Sequence, residues 1–340
     1  MTTLTSPHDL IAAIPFLIGY HPTDSLVLVS LKAGAVAMAM RVDYPETSTT
    51  EDFDLLVRHL TRNGADSALA VAYVPTGTNN GEEVLLSLGR ALTRANIVTS
   101  EALLISQGRW RSTLCLDLQC CPPQGRELPE IGTSRIAAEQ VSSGKVMPFA
   151  NEEELAGSLA SAPLAHDEDF MKQVLLARID QDGPSLRACQ KEGAVAVIDL
   201  ASRFIAGSMG ANIEADQELS ARVLGALSDI QVRDFALGSH AQATHEIYWQ
   251  MWRYLVRIAP VGFVAPVATL FAATSYERGD GALAQRALDR AFSDDAGYSL
   301  TALLRRVFSA GWPPESFAQM RKDLHPKVCA GIFETECEKT

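Results

Sequence analysis

The segment Ile14–Leu31, IPFLIGYHPTDSLVLVSL, constrains the fold more than any other stretch. A short apolar helix ends at Gly19, a residue free to take the left-handed conformation that closes helices. Tyr20-His21-Pro22-Thr23-Asp24-Ser25 then turns the chain. Leu26–Leu31 follows as an apolar-rich run bounded by turn residues, the pattern of a buried strand.

The neighbouring sequence extends this unit in both directions. Ser6-Pro7 with Asp9 is a helix start: a capping hydroxyl, proline at the first position and a carboxylate in the first turn. After the Ala33-Gly34 turn, Ala35–Val42 reads as a second strand and makes a hairpin with the first. A helix is expected over Phe53–Asn63, a strand over Ala68–Val74, a helix over Glu82–Ala95 and a strand over Ile97–Ser106. Trp110–Leu118, with its alternating character, reads as a further strand. This order predicts an α/β domain over residues 1–150, a mixed layered sheet with flanking helices. Strands that bracket helices are expected to pair in parallel through right-handed crossovers. From Asn151 strand signals vanish, and helices are expected at Glu168–Asp182, Val195–Gly207, Glu214–Asp229, Ala241–Ile258, Pro266–Arg278, Ala282–Ser293, Ser299–Ala310 and Pro314–Asp323. Residues 151–340 therefore read as an all-α domain, with Thr335–Thr340 frayed.

Charge and hydropathy bound the function. Lys plus Arg total 29 against 41 Asp plus Glu, a formal charge of -12. A general nucleic-acid binder needs clustered cations to neutralise phosphates, so none is expected. The longest apolar candidate for a membrane helix, Ile258–Ala273, is broken by Pro260 and Pro266 and falls short of the ~20 residues a span needs. The opening MTTLTSPHDL lacks the layout of a signal peptide. A cytoplasmic protein is expected, in which the six cysteines are free thiols or metal ligands before they are disulfides.

Three groups of residues could carry chemistry. His21, Asp24 and Ser25 place a base, a carboxylate and a hydroxyl at the mouth of one strand. The simpler reading is that Pro22 sets a turn whose amides Asp24 or Ser25 satisfy. Cys115, Cys120 and Cys121 could ligate zinc, with His21 or Asp117 as the fourth donor. Against this, no C-x-x-C pair is present, and Cys115 falls within the expected strand. Alternatively, a Cys120 or Cys121 thiolate beside His21 could act as a nucleophile. Tyr248, Trp249, Trp252 and Tyr254 share one expected helix; core packing is the default, a partner-facing patch the alternative.

Several stretches carry a family resemblance. Gly19-Tyr20-His21-Pro22 followed by Asp24-Ser25-Leu26-Val27 resembles the opening motif of an uncharacterised actinobacterial family, domain of unknown function four-one-nine-two. Cys120-Cys121-Pro122-Pro123-Gln124-Gly125 and Arg278-Gly279-Asp280-Gly281-Ala282-Leu283-Ala284 look like its further signatures. Gly297-Tyr298-Ser299-Leu300 departs from its Pro-Tyr-Ser-Leu at the first residue. The resemblance spans nearly the whole chain and implies no activity. Locally, residues 265–304 resemble a tetratricopeptide-type hairpin, with Ala272, Ala284 and Ala291 where two helices approach and Phe271 and Leu288 as bulky partners. One such unit is present, where a repeat array needs about three.

The preferred expectation is a protein-interaction or regulatory protein without catalysis, contacting a protein partner through its helical domain. A hydrolase-like enzyme using His21 with Asp24, Ser25 or Cys121 is the second. Zinc binding at Cys115, Cys120 and Cys121 is the third; no other cofactor is expected.

Overall fold

The computed structural model describes residues 4–45, 49–181, 183 and 185–333. The expected frayed end, Thr335–Thr340, lies outside the described residues. The chain divides into two compact units, Met1–Leu155 and Ala156–Thr340.

The first unit opens with α1 (Pro7–Ile18). Its cap is Ser6, whose hydroxyl accepts the Asp9 N–H at 3.2 Å, and Gly19 at φ +88° ends it. Then come β1 (Ser25–Lys32), β2 (Ala35–Asp43), α2 (Asp54–Arg62), β3 (Ser67–Tyr73), α3 (Gly81–Arg94), β4 (Val98–Ser106), β5 (Arg109–Ser112), β6 (Arg126–Glu127), α4 (Arg135–Ser142) and α5 (Glu152–Gly157). The strands form one mixed sheet in the order β2-β1-β3-β4-β5-β6. Strand β1 runs antiparallel to both β2 and β3, β3 and β4 are parallel, and β4-β5-β6 are antiparallel. The expectation of parallel pairing across a helix holds for β3-α3-β4. It does not hold for β2-α2-β3: those strands point the same way, but β1 lies between them.

Burial explains this arrangement. Six consecutive residues of β1, Ser25–Ser30, are buried, so the strand needs neighbours on both edges and cover on both faces. Leu26 and Leu28 pack with Ala70 and Ala72 of β3 and with Val84, Leu88 and Leu92 of α3. Phe53 and Leu60 close the same core.

The expected strand Trp110–Leu118 stops at Ser112. Leu114, Leu116 and Leu118 are 51%, 92% and 69% exposed, so their alternation buries no face. Without a face to bury, the pattern yields a loop, and Cys115 belongs to that loop rather than to a strand.

The second unit is helical: α6 (Glu168–Leu176), α7 (Leu186–Ile205), α8 (Ile213–Ala226), α9 (Ile230–Gly238), α10 (His245–Ile258), α11 (Val264–Glu277), α12 (Gly281–Asp294), α13 (Ser299–Ser309) and α14 (Pro314–Phe333). Helices α11 and α12 form its most intimate pair. Their turn passes through Gly279 at φ +87°, and Ala272, Ala284 and Ala291 are completely buried. Among the described residues no helix is long and apolar enough to cross a membrane.

Candidate metal centre

The loop between β5 and β6 gathers three thiols. The sulfurs of Cys115, Cys120 and Cys121 all lie within 4.8 Å of one another. The sequence dictates this convergence locally. Asp117 starts a single helical turn: its Oδ1 accepts the N–H of Gln119 at 2.8 Å and of Cys120 at 3.4 Å, and its carbonyl accepts the Cys121 N–H at 2.7 Å. Pro122-Pro123-Gln124-Gly125 then reverses the chain, with the Gly125 N–H donating to the Pro122 carbonyl at 2.8 Å. Proline second and glycine fourth suit that turn.

Side chains from the sheet brace the loop at both ends. Ser112 Oγ accepts the N–H groups of Leu114 and Cys115, each at 3.2 Å, and donates to Glu101 at 2.6 Å. The Arg126 guanidinium donates to the carbonyls of Gln119 at 2.8 Å and Cys120 at 2.5 Å. Arg109 holds the carbonyls of Gln124 and Gly125 at 2.9 Å.

The three sulfurs differ in exposure: Cys121 is buried, Cys115 half-buried and Cys120 exposed. Burial pushes the Cys121 thiol up to about 11; the Ser112 backbone N–H pulls it down, and the adjacent Cys115 and Cys120 push it further up. A thiol held so high is protonated at neutral pH and makes a poor nucleophile. A bound cation reverses that preference, since a coordinating thiol is deprotonated outright. Zinc at about 2.3 Å from each sulfur sets S···S edges of ~3.8 Å in a tetrahedron, so closure draws the sulfurs in by at most ~1 Å. Among the described residues the cluster consists of three sulfurs; His21 and Asp117, the expected fourth donors, are not in it.

His21, Asp24 and Ser25 make separate contacts in the structure. The His21 N–H donates to the Phe149 carbonyl at 3.0 Å, and the Phe149 N–H to that of Gly19 at 2.9 Å. Asp24 takes φ +42°, tolerable for aspartate, and its carbonyl accepts the Tyr44 N–H at 3.0 Å. Ser25 is fully buried, and its Oγ has no hydrogen-bond partner among the described residues. The hydroxyl is therefore bonded to neither His21 nor Asp24, and solvent does not reach it. Burial also lowers the His21 pKa, which keeps the imidazole neutral.

The aromatic cluster of α10 is spent on packing. Tyr248 and Trp252 are buried, and Trp249 donates to Ser275 Oγ at 3.0 Å while the Arg278 guanidinium lies 4.4 Å from its ring centre.

One polar cluster in the helical unit escaped sequence reading. Glu277, at the end of α11, receives the Arg321 Nε on one oxygen at 2.7 Å and Nη2 on the other at 3.3 Å. His240 Nε2 lies 3.0 Å from the second oxygen and His245 Nε2 4.0 Å from it. Arg321 also donates to the carbonyls of Gly238 and His240, each at 3.1 Å. Burial alone would raise the Glu277 pKa, but the His240 and Arg321 hydrogen bonds outweigh it and hold the carboxyl below its ordinary range. Burial depresses His240, His245 and, on α14, His325.

These three histidines give the helical unit a defined acid response. Below about pH 6.5 the unfolded chain binds protons that the folded one resists, so stability falls as pH drops through that value. The urea midpoint of the helical transition is expected to decline between about pH 7.5 and 5.5, and His245→Asn is expected to shallow the decline. A midpoint flat across that window would contradict the assignment.

No curated protein and no solved structure matches the chain. The family described as Domain of unknown function (DUF4192) matches residues 7–315, which takes in all six strands and helices α1 to α13, and the chain belongs to that family.

Proposed function

We propose that this protein is a non-catalytic, thiol-based metal-binding protein whose α/β unit takes zinc at Cys115, Cys120 and Cys121. One observation carries the reading: three sulfurs of one braced loop lie within 4.8 Å of each other. Thiolates favour zinc and monovalent copper over magnesium or calcium. Three protein donors leave the fourth zinc position to water or to an outside ligand. A cation there fixes a loop that otherwise owes its shape to hydrogen bonds, and this suits a regulatory role. A protein partner is proposed for the helical unit, where Leu176 and Ile213 stand 86% and 67% exposed.

Full-length reduced protein, dialysed against zinc and then against buffer, is expected to retain about one zinc per chain by elemental analysis. Cys115→Ser, Cys120→Ser and Cys121→Ser should each lower that retention. With zinc at 100 times its dissociation constant, the unfolding free energy should rise by about 2.7 kcal/mol in the wild type and not in Cys121→Ser. Retention that is absent in the wild type, or unchanged in the variants, would refute the reading.

A further inference from the structure

We infer that Cys115 and Cys120 form a reversible disulfide under peroxide, and that its formation expels the cation held by the cluster. The expulsion rests on the metal-binding reading; the disulfide does not.

The pairing follows from geometry. Each of the three sulfurs is within 4.8 Å of the other two, so any pair could meet without rearranging the sheet. Cys120 and Cys121 are sequence neighbours. Their Cα atoms lie about 3.8 Å apart across an ordinary trans peptide, closer than the ~4.4 Å at which unstrained disulfides begin. The bond must therefore include Cys115. Its partner is decided by access: Cys120 is exposed, whereas Cys121 is buried. The oxidant meets Cys120 first, and half-buried Cys115 is placed to resolve the product.

The chemistry balances with hydrogen peroxide as the two-electron oxidant. The Cys120 sulfur attacks one peroxide oxygen, the O–O bond breaks, and a sulfenic acid and one water form. The Cys115 sulfur then attacks the Cys120 sulfur, forming the S–S bond and breaking S–O. The hydroxyl leaves as a second water, with the Cys115 proton in the metal-free cluster; in the zinc-loaded cluster, whose sulfurs are thiolates, solvent supplies the protons for both waters. Two thiols are oxidised and one peroxide is reduced to two waters. The cation is left with the single sulfur of Cys121, too few donors to hold it. A dithiol reductant restores the site.

The test treats zinc-loaded full-length protein with stoichiometric hydrogen peroxide, followed by peptide mapping under non-reducing conditions and a chromogenic assay for free zinc. Cys189 and Cys329, both in the helical unit, serve as internal controls. The expected result is a Cys115–Cys120 linkage, one zinc released per linkage formed, and recovery of both on adding dithiothreitol. Cys121→Ser should still form the linkage; Cys115→Ser should stop at a sulfenic acid on Cys120 that dimedone traps. A Cys120–Cys121 linkage, no linkage at all, or zinc retained beside a complete linkage would overturn the inference. Protein that holds no zinc before peroxide would defeat the metal-binding reading alone, because mapping the same sample still decides the disulfide.

Discussion

Replacing Arg321 with methionine is expected to lower the unfolding free energy of the helical unit by about 3–5 kcal/mol. Methionine fills much of the same volume, so the loss isolates the charge. The Arg321 side chain is 2% exposed and the Glu277 side chain 6%, so neither falls back on water when its partner goes. Removing the guanidinium leaves a buried carboxylate with only the imidazoles of His240 and His245 beside it, and the carbonyls of Gly238 and His240 lose their donor. Because the penalty comes from the stranded partner, Arg321→Met/Glu277→Gln should cost about 1–3 kcal/mol less than the two single changes summed. Urea titration followed by far-ultraviolet circular dichroism reads all four proteins. Additive costs would mean that Arg321 acts through packing and not through Glu277.

That cluster also shows where the sequence was mute. His240, Glu277 and Arg321 are separated by 37 and 44 residues, and their meeting depends on how the segment between α9 and α10 packs with α11 and α14. No local pattern encodes such a meeting. The sheet was legible for the opposite reason: in Leu26–Val29 and Ala70–Ala72, burial on both faces writes itself as an unbroken apolar run. The misread elements have physical causes. Gly193 reads as a break, which moves the apparent start of α7 to Val195; in the structure it lies inside the helix, where an added Cβ would stand 2.8 Å from that of Ala226 on α8. Pro326 makes α14 look shorter than its run to Phe333. Leu114, Leu116 and Leu118 imitate a strand because alternation alone does not say whether a face is covered. The three cysteines could be named as a metal set from sequence, but their convergence came from the Asp117 turn, which that strand reading concealed.

Trp252 offers the second large effect, and a contrast within one position. It is fully buried in α10, with its ring 6.1 Å from that of Tyr248, and its Nε1–H has no hydrogen-bond partner among the described residues. Trp252→Ala is expected to cost about 3–5 kcal/mol, the lost transfer energy of the indole plus the cavity it leaves. Trp252→Phe removes fewer apolar atoms and also removes the stranded donor, whose burial costs about 1–3 kcal/mol. The two terms oppose each other, so the phenylalanine variant should lie within about 1 kcal/mol of wild type. Denaturant midpoints of the three proteins decide this directly. If phenylalanine costs nearly as much as alanine, the indole N–H has a partner in solution, and the position rewards the full ring system over the relief of one unpaired group. If it costs little, the tryptophan is kept for its volume alone and the helical unit tolerates an unsatisfied donor at its centre.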